Sequence, residues 1–405
     1  MDFLAKATIA AEQENWSLLN QCLQHLLHSK SLVANHQQQI LDWALEILNW
    51  GDFQDRWDVA KFFPSLGKQA IAPLIKILED EEADEELRWF AARILGEFND
   101  ADAISALVDL LKSAESEELS VMATTALANQ GKNAITALSD LLDREEWRIL
   151  AVRGLAHIRS KETITPLLSV VNDAKVLVRA TAIEALGSFH DPLVLPVLLA
   201  ALKDVAATVR KEAVIALGVR SDLKDRLNLV KVLKPFLWDF NIEVCQQSAI
   251  ALGRLGTDEA ADALFSVCQS SVTPLPLQLQ AIRSLGWVET PQAIAYLKQV
   301  FEQDFAASAQ QMDSQLLIWQ EVITVLGQVQ TANLIPIATQ VLIELLKSSH
   351  PAMNFAEIRQ KLANSLGLLA DPQAVDSLQS LLSDQDTVVR LHAIAALKKL
   401  LCAIG

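Results

Sequence analysis

Three residues near the N-terminus have side chains that bind metals, and their spacing places them on one helix. Cys22, His25 and His28 lie at positions i, i+3 and i+6, which spreads them over about 120° of a helical surface. Sulfur and imidazole suit zinc or iron–sulfur chemistry. On a straight helix, however, side chains at positions i and i+6 do not point toward one common metal position. Cys and His residues at such spacing are also ordinary in a surface helix rich in Gln and His. They are weak metal candidates, and the sequence predicts no metal site.

No motif for catalysis accompanies them. The sequence has no Ser-His-Asp order, no Gly-rich phosphate loop and no HExxH motif. Cys245 and Cys268 lie within apolar helical patterns that are typical of small core residues. Cys402 lies near the end of the chain, where a thiol could be exposed. The sequence therefore predicts no catalytic residue.

A third group of residues has the composition of a binding surface. Aromatic, methionine and arginine side chains recur between residues 89 and 153, and these types are enriched at the energetic centres of interfaces. We predict a partner-binding surface formed by Trp89, Phe90, Arg93, Met122, Leu150 and Arg153.

These residues belong to a pattern that repeats along most of the chain. An Arg is followed by Ala three residues later and by Leu four residues after that, usually with Gly next. Complete copies end at Leu95, Leu155, Leu186, Leu217 and Leu397, and degenerate copies end at Leu66, Leu127, Leu252, Leu285, Leu326 and Leu366. Eleven copies at steps of 28 to 41 residues predict a solenoid of stacked repeats.

Each copy is typical of a helical hairpin. Turn residues such as Asp371 and Pro372 precede a first helix, because Asp caps helices and Pro suits the first helical position. The second helix contains the Arg, Ala and Leu of the signature. We expect the Ala to let neighbouring helices approach and the Leu to fill the shared core. The Gly after the Leu is expected to end the helix, since Gly adopts a positive φ at little cost.

An acidic residue precedes the signature Arg by six residues in several copies. The pairs are Glu82 with Arg88, Asp173 with Arg179, Asp204 with Arg210, and Asp384 with Arg390. Stacked in a solenoid, such acids and arginines predict a ladder that connects each repeat to the next. We therefore interpret the signature arginines as structural and not as a substrate site.

The unit acid-x5-Arg-x-x-Ala-x-x-x-Leu-Gly, of about 31 residues, resembles the short HEAT-like repeat of phycobilisome lyases of the E/F type. It differs from tetratricopeptide and ankyrin repeats, because Thr-Pro-Leu-His is absent and Tyr296 is the only tyrosine. The resemblance covers about residues 55–402. The periodicity predicts an all-α fold, an α-solenoid, and the resemblance agrees with it. We expect a superhelix of about eleven HEAT-like hairpins over residues 51–405, with longer repeats at about residues 286–366 and an atypical helical N-terminal cap over residues 1–50.

The resemblance also implies two functions. Cyanobacterial E/F-type lyases attach, isomerise or remove linear tetrapyrroles on phycobiliprotein cysteines. This implies a protein-binding scaffold with a lyase-like or chaperone-like role, a phycobiliprotein subunit as partner and no cofactor beyond a non-covalent bilin, whose propionates would pair with arginines. A cyanobacterial relative is instead linked to iron–sulfur cluster assembly, so the alternative is a non-enzymatic regulator that binds an iron–sulfur scaffold protein. No catalytic residue carries over from the family.

Helical geometry places the predicted surface. At 100° per residue, the positions two, five and six residues before the signature Leu lie opposite its Arg, Ala and Leu. Second helices commonly line the concave side of a solenoid, so these positions should line a groove. In a tight superhelix they would instead pack only against neighbouring repeats. Trp43, Trp50 and Trp57 recur at seven-residue spacing and are expected to pack in the core of the N-terminal cap.

Composition and charge argue against other classes of partner. The 34 Lys and Arg residues against 50 Asp and Glu give a net charge of −16, whereas binding to nucleic acids rests on basic residues. The longest apolar stretch, residues 192–202, is shorter than the roughly 20 residues that a membrane helix needs. Four separated cysteines fit a reducing compartment, and the N-terminus lacks the pattern of a secretory signal. We predict a cytoplasmic protein without nucleic-acid or membrane partners.

Overall fold

The computed structural model describes residues 3–27, 30–303 and 309–404. Within these ranges the chain forms 26 α-helices and no strand, which confirms the predicted all-α solenoid. The chain divides into two compact units, Met1–Val197 and Leu198–Gly405. The boundary between a cap over residues 1–50 and the repeats stays a prediction.

The first unit begins with five helices and continues as hairpins, each made of a first (A) helix and a second (B) helix. The initial helices are α1 (Phe3–Glu12), α2 (Trp16–Leu27), α3 (Lys30–Trp50), α4 (Phe53–Ala60) and α5 (Phe63–Leu66). The hairpins are α6 (Ile71–Glu79) with α7 (Glu85–Leu95), α8 (Ala101–Ser113) with α9 (Glu117–Asn129), α10 (Ile135–Leu141) with α11 (Arg148–Ile158), and α12 (Ile164–Ser169) with α13 (Val176–Gly187). The copy that ends at Leu66 is irregular, since α4 takes the place of a B helix, packing on α3 and α7.

The division between the units falls within α14, and the second unit continues the alternation of A and B helices. Its helices are α14 (Val194–Ala201) with α15 (Ala207–Gly218), α16 (Lys224–Leu227) and α17 (Leu229–Leu233) with α18 (Ile242–Leu255), α19 (Asp258–Gln269) with α20 (Leu275–Val288), α21 (Pro291–Glu302) with α22 (Ala309–Leu326), α23 (Ile335–Lys347) with α24 (Ala356–Leu369), and α25 (Val375–Ser380) with α26 (Thr387–Ile404).

The signature Leu lies at the centre of each hairpin. From Leu66 to Leu366 this side chain is fully buried in every copy, whereas Leu397 in the last helix is half-buried. Within each unit, successive B helices also contact each other, as α7 does α9 and α18 does α20. The core therefore runs continuously from one hairpin to the next inside each unit.

The residue seven positions before the signature Leu donates a hydrogen bond to a backbone carbonyl at least six residues earlier, either at the end of the preceding A helix or in the link that follows it. Nine of the ten B helices in the described ranges show this bond, at donor–acceptor distances of 2.6 to 3.3 Å. Carbonyls at a helix C-terminus or in an irregular link lack the partners that a continuous helix would give them, so the bond satisfies groups that would otherwise be orphaned. The donors are Arg88, Arg148, Arg179, Arg210, Cys245, Gln278, Trp319, Arg359 and Arg390.

Where the donor is Arg, its guanidinium can also reach an Asp of the following repeat. Arg148 pairs with Asp173 at 2.6 Å in the first unit. In the second unit Arg210 makes two bonds to Asp239, at 2.8 and 2.7 Å, and Arg359 makes two to Asp384, at 2.7 and 2.9 Å. These pairs confirm the predicted ladder.

The predicted ladder is wrong at its first pair. Glu82 is exposed, and Arg88 donates instead to the carbonyl oxygen of Leu78 at 3.2 Å. Two acidic residues at the start of α7, Asp84 and Glu86, do form ion pairs, both with Arg56 of α4.

The helix ends at or directly before the Gly after the signature Leu in five copies, at Gly67, Gly96, Gly187, Gly218 and Gly327, but it continues past Gly253, Gly286 and Gly367. The predicted reason is wrong for most copies, because only Gly67 has a positive φ at this position, at +78°. A Cβ at Gly218 would lie 2.5 Å from the Cβ of Ala251, and one at Gly367 would lie 2.6 Å from the Cβ of Ala396. The glycine is needed because the next B helix approaches this closely.

The ladder predicts a pH-dependent contribution to stability. The bonds from Arg359 hold the pKa of Asp384 below its usual value of 3.8. Because the folded pKa is lower than the unfolded one, the stabilisation is present above about pH 4 and is lost as the pH falls through the folded pKa. We expect Asp384→Asn to cost about 2 kcal/mol at pH 7, and the difference from the native chain to shrink below about pH 4.

Thermal unfolding followed by circular dichroism across this pH range measures the effect. Asp376→Asn is the matched control, because Asp376 in the same repeat is exposed and has no recorded partner among the described residues. A cost for Asp384→Asn that equals the control at pH 7, or that does not change with pH, would contradict the prediction.

Candidate functional site

The predicted surface residues lie on the B helices of the first unit, but they differ in exposure. Arg153 is exposed, and Trp89, Arg93, Met122 and Leu150 are half-buried. Their side chains therefore reach the open face of these helices.

Phe90 does not reach that face, and its prediction as an exposed residue is wrong. It is fully buried. Phe53 of α4 lies across it, with ring centroids 5.4 Å apart, and Trp89 contacts it edge-on at 5.1 Å. The helical wheel of α7 places Phe90 away from the repeat's own core, but the neighbouring helix covers it. Phe90 thus supports the site from beneath.

An aromatic cluster, which we define as Phe53, Trp57, Trp89, Phe90 and Arg93, spans α4 and α7. The guanidinium of Arg93 lies 4.0 Å from the ring centroid of Trp57. Phe53 stacks on Trp57 at 6.1 Å and is half exposed. A guanidinium over an indole face is held by the quadrupole of the ring, so the stack orients Arg93 while part of its surface stays open.

The cluster corrects the interpretation of the N-terminal tryptophans. Trp43 is buried in the core, as predicted. Trp50 is 73% exposed, which makes the prediction wrong there, because it is the last residue of α3, where the chain turns at Gly51. Trp57 is half-buried and belongs to the cluster. Sequence reasoning missed Phe53 and Trp57 as site residues, although both lie on α4, the helix that takes the place of a B helix in the copy ending at Leu66.

Leu150 and Arg153 line a shallow pocket of about 170 Å3 between α9 and α11, named here the α9–α11 pocket. The other lining residues are Val121, Thr124, Thr125, Ala128, Gly154 and His157. Apolar side chains form one part of the wall, and the guanidinium and imidazole form a polar edge. Such a pocket accepts an apolar side chain that has an acceptor or carboxylate beside it. Met122 does not line it.

Arg93 and Arg153 differ from Arg56 and Arg148 of the first unit in their charge partners. Arg56 and Arg148 are paired with carboxylates. No carboxylate partner is recorded for Arg93 or Arg153 anywhere in the described part of the chain. In a protein with a net charge of −16, two unneutralised guanidinium groups beside aromatic and apolar surface attract an anionic group.

The N-terminal metal candidates do not form a donor set. Cys22 points into the core, where burial raises the pKa of its thiol. His25 lies on the exposed side of the same helix and stacks on Phe3 at 4.4 Å. His28 lies outside the described residues. Among the residues that the structure describes, no group of three His, Cys, Asp or Glu side chains is arranged to hold a metal ion.

The burial of the remaining cysteines agrees with the prediction from the sequence. Cys245 and Cys268 are buried, and burial raises the pKa of Cys268 to about 12. Cys245 stands in the place of a signature Arg and directs its Sγ at the carbonyl oxygen of Asp239, 3.1 Å away. Cys402 is exposed.

A family model for HEAT repeats matches residues 71–150, 144–218, 229–312 and 339–401, which is most of the chain. The chain belongs to the HEAT-repeat family. No curated protein matches the sequence. No helix within the described ranges is long and apolar enough to cross a membrane.

Several solved structures resemble this HEAT-repeat chain. The match to importin beta includes 98% of this chain and 65% of the importin beta chain, at 13% sequence identity and a TM-score of 0.55. The match to an engineered protein includes 82% of this chain and 98% of the engineered chain, at 23% sequence identity and a TM-score of 0.38. The match to a chain of the complex of CpcE and CpcF of phycocyanin lyase from Nostoc sp. PCC7120 includes 57% of this chain and 93% of that chain. The sequence identity is 20% and the TM-score is 0.32.

The likeness to importin beta is one of fold. The HEAT repeats themselves support a repeat scaffold for protein binding. The role of the predicted surface residues in binding stays a prediction.

The two kinds of arginine on α11 should respond differently to neutral substitution. Arg148 bonds to the carbonyl oxygen of Leu142 and to Asp173, both at 2.6 Å, so Arg148→Gln should lower the free energy of unfolding by about 2 kcal/mol. Arg153 is exposed and has no carboxylate partner in the described ranges, so Arg153→Gln should change it by less than about 0.5 kcal/mol. Urea unfolding of both variants measures the difference. Equal costs would show that Arg153 is structural.

Proposed function

We propose that the open B-helix face of the first unit binds a segment of a partner protein. The aromatic cluster and the α9–α11 pocket provide the contacts. The observation that carries the proposal is the pair of guanidinium groups, Arg93 and Arg153, which have no carboxylate partner in the described part of the chain. Each lies beside apolar surface, Arg93 on Trp57 and Arg153 next to Leu150.

The site is suited to an occupant that has both apolar and anionic groups. Indole and leucine side chains contribute apolar area, while guanidinium groups form directional bonds to carboxylates. A carboxylate that binds Arg93 or Arg153 displaces no carboxylate of the described part of the chain. Ordered aromatic side chains also lose little conformational freedom on binding.

We propose further that the partner is a phycobiliprotein subunit, and that the protein acts in phycobiliprotein maturation as a lyase-like or chaperone-like factor. Support comes from the resemblance of the repeat unit to those of E/F-type lyases. The two free arginines also suit the propionates of a non-covalently bound bilin. A lyase of this kind needs no nucleophile of its own, since the cysteine of the acceptor forms the bond to the bilin.

Regulation of iron–sulfur cluster assembly is the alternative. One observation favours it: Cys402 is an exposed thiol, which a scaffold protein could contact. Cys22, the other thiol that this function would use, is buried and so is not available on the surface.

The first test separates the binding surface from the identity of the partner. The full chain is mixed with an apo-phycobiliprotein subunit, and separately with phycocyanobilin, and the dissociation constants are measured. Changing both Arg93 and Arg153 to Glu should weaken binding at least about tenfold, because two attractive contacts become repulsive. Arg226→Glu with Arg254→Glu is the control, since both residues are exposed, lie in the second unit and change the net charge equally.

The outcomes lead to different conclusions. Binding that is unchanged in the Arg93 and Arg153 variant would show that the surface lies elsewhere. Pigment that stays on the acceptor after denaturation, and only when this protein is present, would establish lyase action. A chain that binds neither probe yet binds an iron–sulfur scaffold protein would contradict the phycobiliprotein proposal and support the alternative.

A further inference from the structure

A second cavity opens at the N-terminal end of the first unit, where three helix ends meet. Its volume is about 530 Å3, and it is lined by Ala11, Glu14, Trp16, Glu46 and Trp50. Two indole rings and two carboxylates thus share one opening. We call it the Trp16–Trp50 pocket. None of its residues belongs to the aromatic cluster or to the α9–α11 pocket.

The turn between α1 and α2 holds one side of the pocket in place. Glu14 has a positive φ of +52°, and its N–H donates to the carbonyl oxygen of Ala11 at 3.0 Å. The next N–H, of Asn15, donates to Ala10 at 2.9 Å, and the side chain of Asn15 accepts from the N–H of Leu18 at 3.1 Å. These bonds end α1 and begin α2. Glu14 and Trp16 are therefore positioned by a closed turn.

The end of α3 holds the other side. Glu46 and Trp50 are four residues apart, so they lie on the same side of the helix. The chain then turns tightly, since a Cβ at Gly51 would lie 2.6 Å from the carbonyl oxygen of Ile47 and 2.8 Å from the Cβ of Asp55. This close packing fixes the backbone at Trp50 while the indole itself stays exposed.

The charges of the pocket are not neutralised within the described residues. Both Glu14 and Glu46 are exposed, no cationic partner is recorded for either, and no Lys, Arg or His lines the cavity. Elsewhere the chain provides its own cation for a tryptophan, where Arg93 covers Trp57. The Trp16–Trp50 pocket has the same kind of aromatic surface with added negative charge, and no internal cation.

This combination favours an organic cation over a metal ion. Indole rings do not ligate hard cations such as Ca²⁺, which take six to eight oxygen ligands. An alkylammonium or guanidinium group is attracted by an indole face and also forms charge-assisted hydrogen bonds with carboxylates. We propose that the Trp16–Trp50 pocket binds an organic cation, a guanidinium or alkylammonium group of the kind that arginine and lysine side chains present.

Fluorine NMR of the full chain labelled with 5-fluorotryptophan tests the proposal. The resonances of Trp16 and Trp50 are assigned with Trp16→Phe and Trp50→Phe. The probes are methylguanidinium and the capped peptide acetyl-Ala-Arg-Ala-amide, and the neutral comparison is acetyl-Ala-Gln-Ala-amide. We expect the arginine peptide to shift both resonances saturably, with a dissociation constant of about a millimolar. Saturation by methylguanidinium as well would show that the group alone suffices, and saturation by the peptide only would identify a protein side chain as the source.

Substitutions locate the site. Trp50→Ala and Glu46→Gln should each weaken binding about three- to tenfold, read from the Trp16 resonance. Trp287→Ala and Glu12→Gln are the matched controls, because both residues are exposed and neither lines the pocket, and they should leave affinity unchanged. The proposal is overturned if neither resonance saturates with the arginine peptide, if the glutamine peptide binds equally well, or if Glu46→Gln binds as tightly as the native chain.

Discussion

The hydrogen bond from the residue seven positions before the signature Leu is the constraint on which the stacked repeats depend. The end of an A helix and the link after it leave carbonyl oxygens without partners, and orphaned buried acceptors are costly. A donor on the following B helix satisfies one of them and joins that helix to the link. Arg does so at Arg210 with one nitrogen and keeps the rest of its guanidinium for Asp239 in the next repeat. Cys245 and Trp319 donate to a backbone carbonyl but make no bond to an Asp of the next repeat, so the bond to the carbonyl is the common requirement.

This constraint divides the arginines of the B helices into two groups. Arg148 is used within the solenoid, by Leu142 and Asp173. Arg153, on the same helix five residues later, lies on the open face and lines the α9–α11 pocket. Successive B helices pack closely through glycine, so the core is complete without the arginines of the open face, such as Arg153. The open face is therefore free for side chains whose role is binding.

The sequence was sufficient for the repeats, since their Leu spacing and the Arg–Asp pairs recur in many copies. It was insufficient where two different helices determine the outcome. Phe90 is buried by Phe53, a neighbour that a wheel of α7 alone does not include. A glycine is required at position 218 because Ala251 of the next B helix lies so close, and not because of the backbone angle at that position. Trp50 is exposed because α3 ends there. Within the candidate site, Trp89, Arg93, Leu150 and Arg153 were predictable from the period, whereas Trp57 as the partner of Arg93 was not.

A double-mutant cycle on Arg210 and Asp239 tests the central claim most directly. Arg210→Gln removes both the bond to the carbonyl oxygen of Asp204 and the bonds to Asp239, whereas Asp239→Asn affects only the latter, so Arg210→Gln should cost more. Native-state hydrogen exchange of amides in α18 reports the free energy at which that repeat opens, without requiring that the whole chain unfold in one step. If the ladder joins neighbouring repeats, Arg210→Gln and Asp239→Asn should each lower this free energy, and the double variant should cost less than their sum by about 1 kcal/mol or more. Costs that add without coupling, or exchange in α18 that neither substitution changes, would contradict the account.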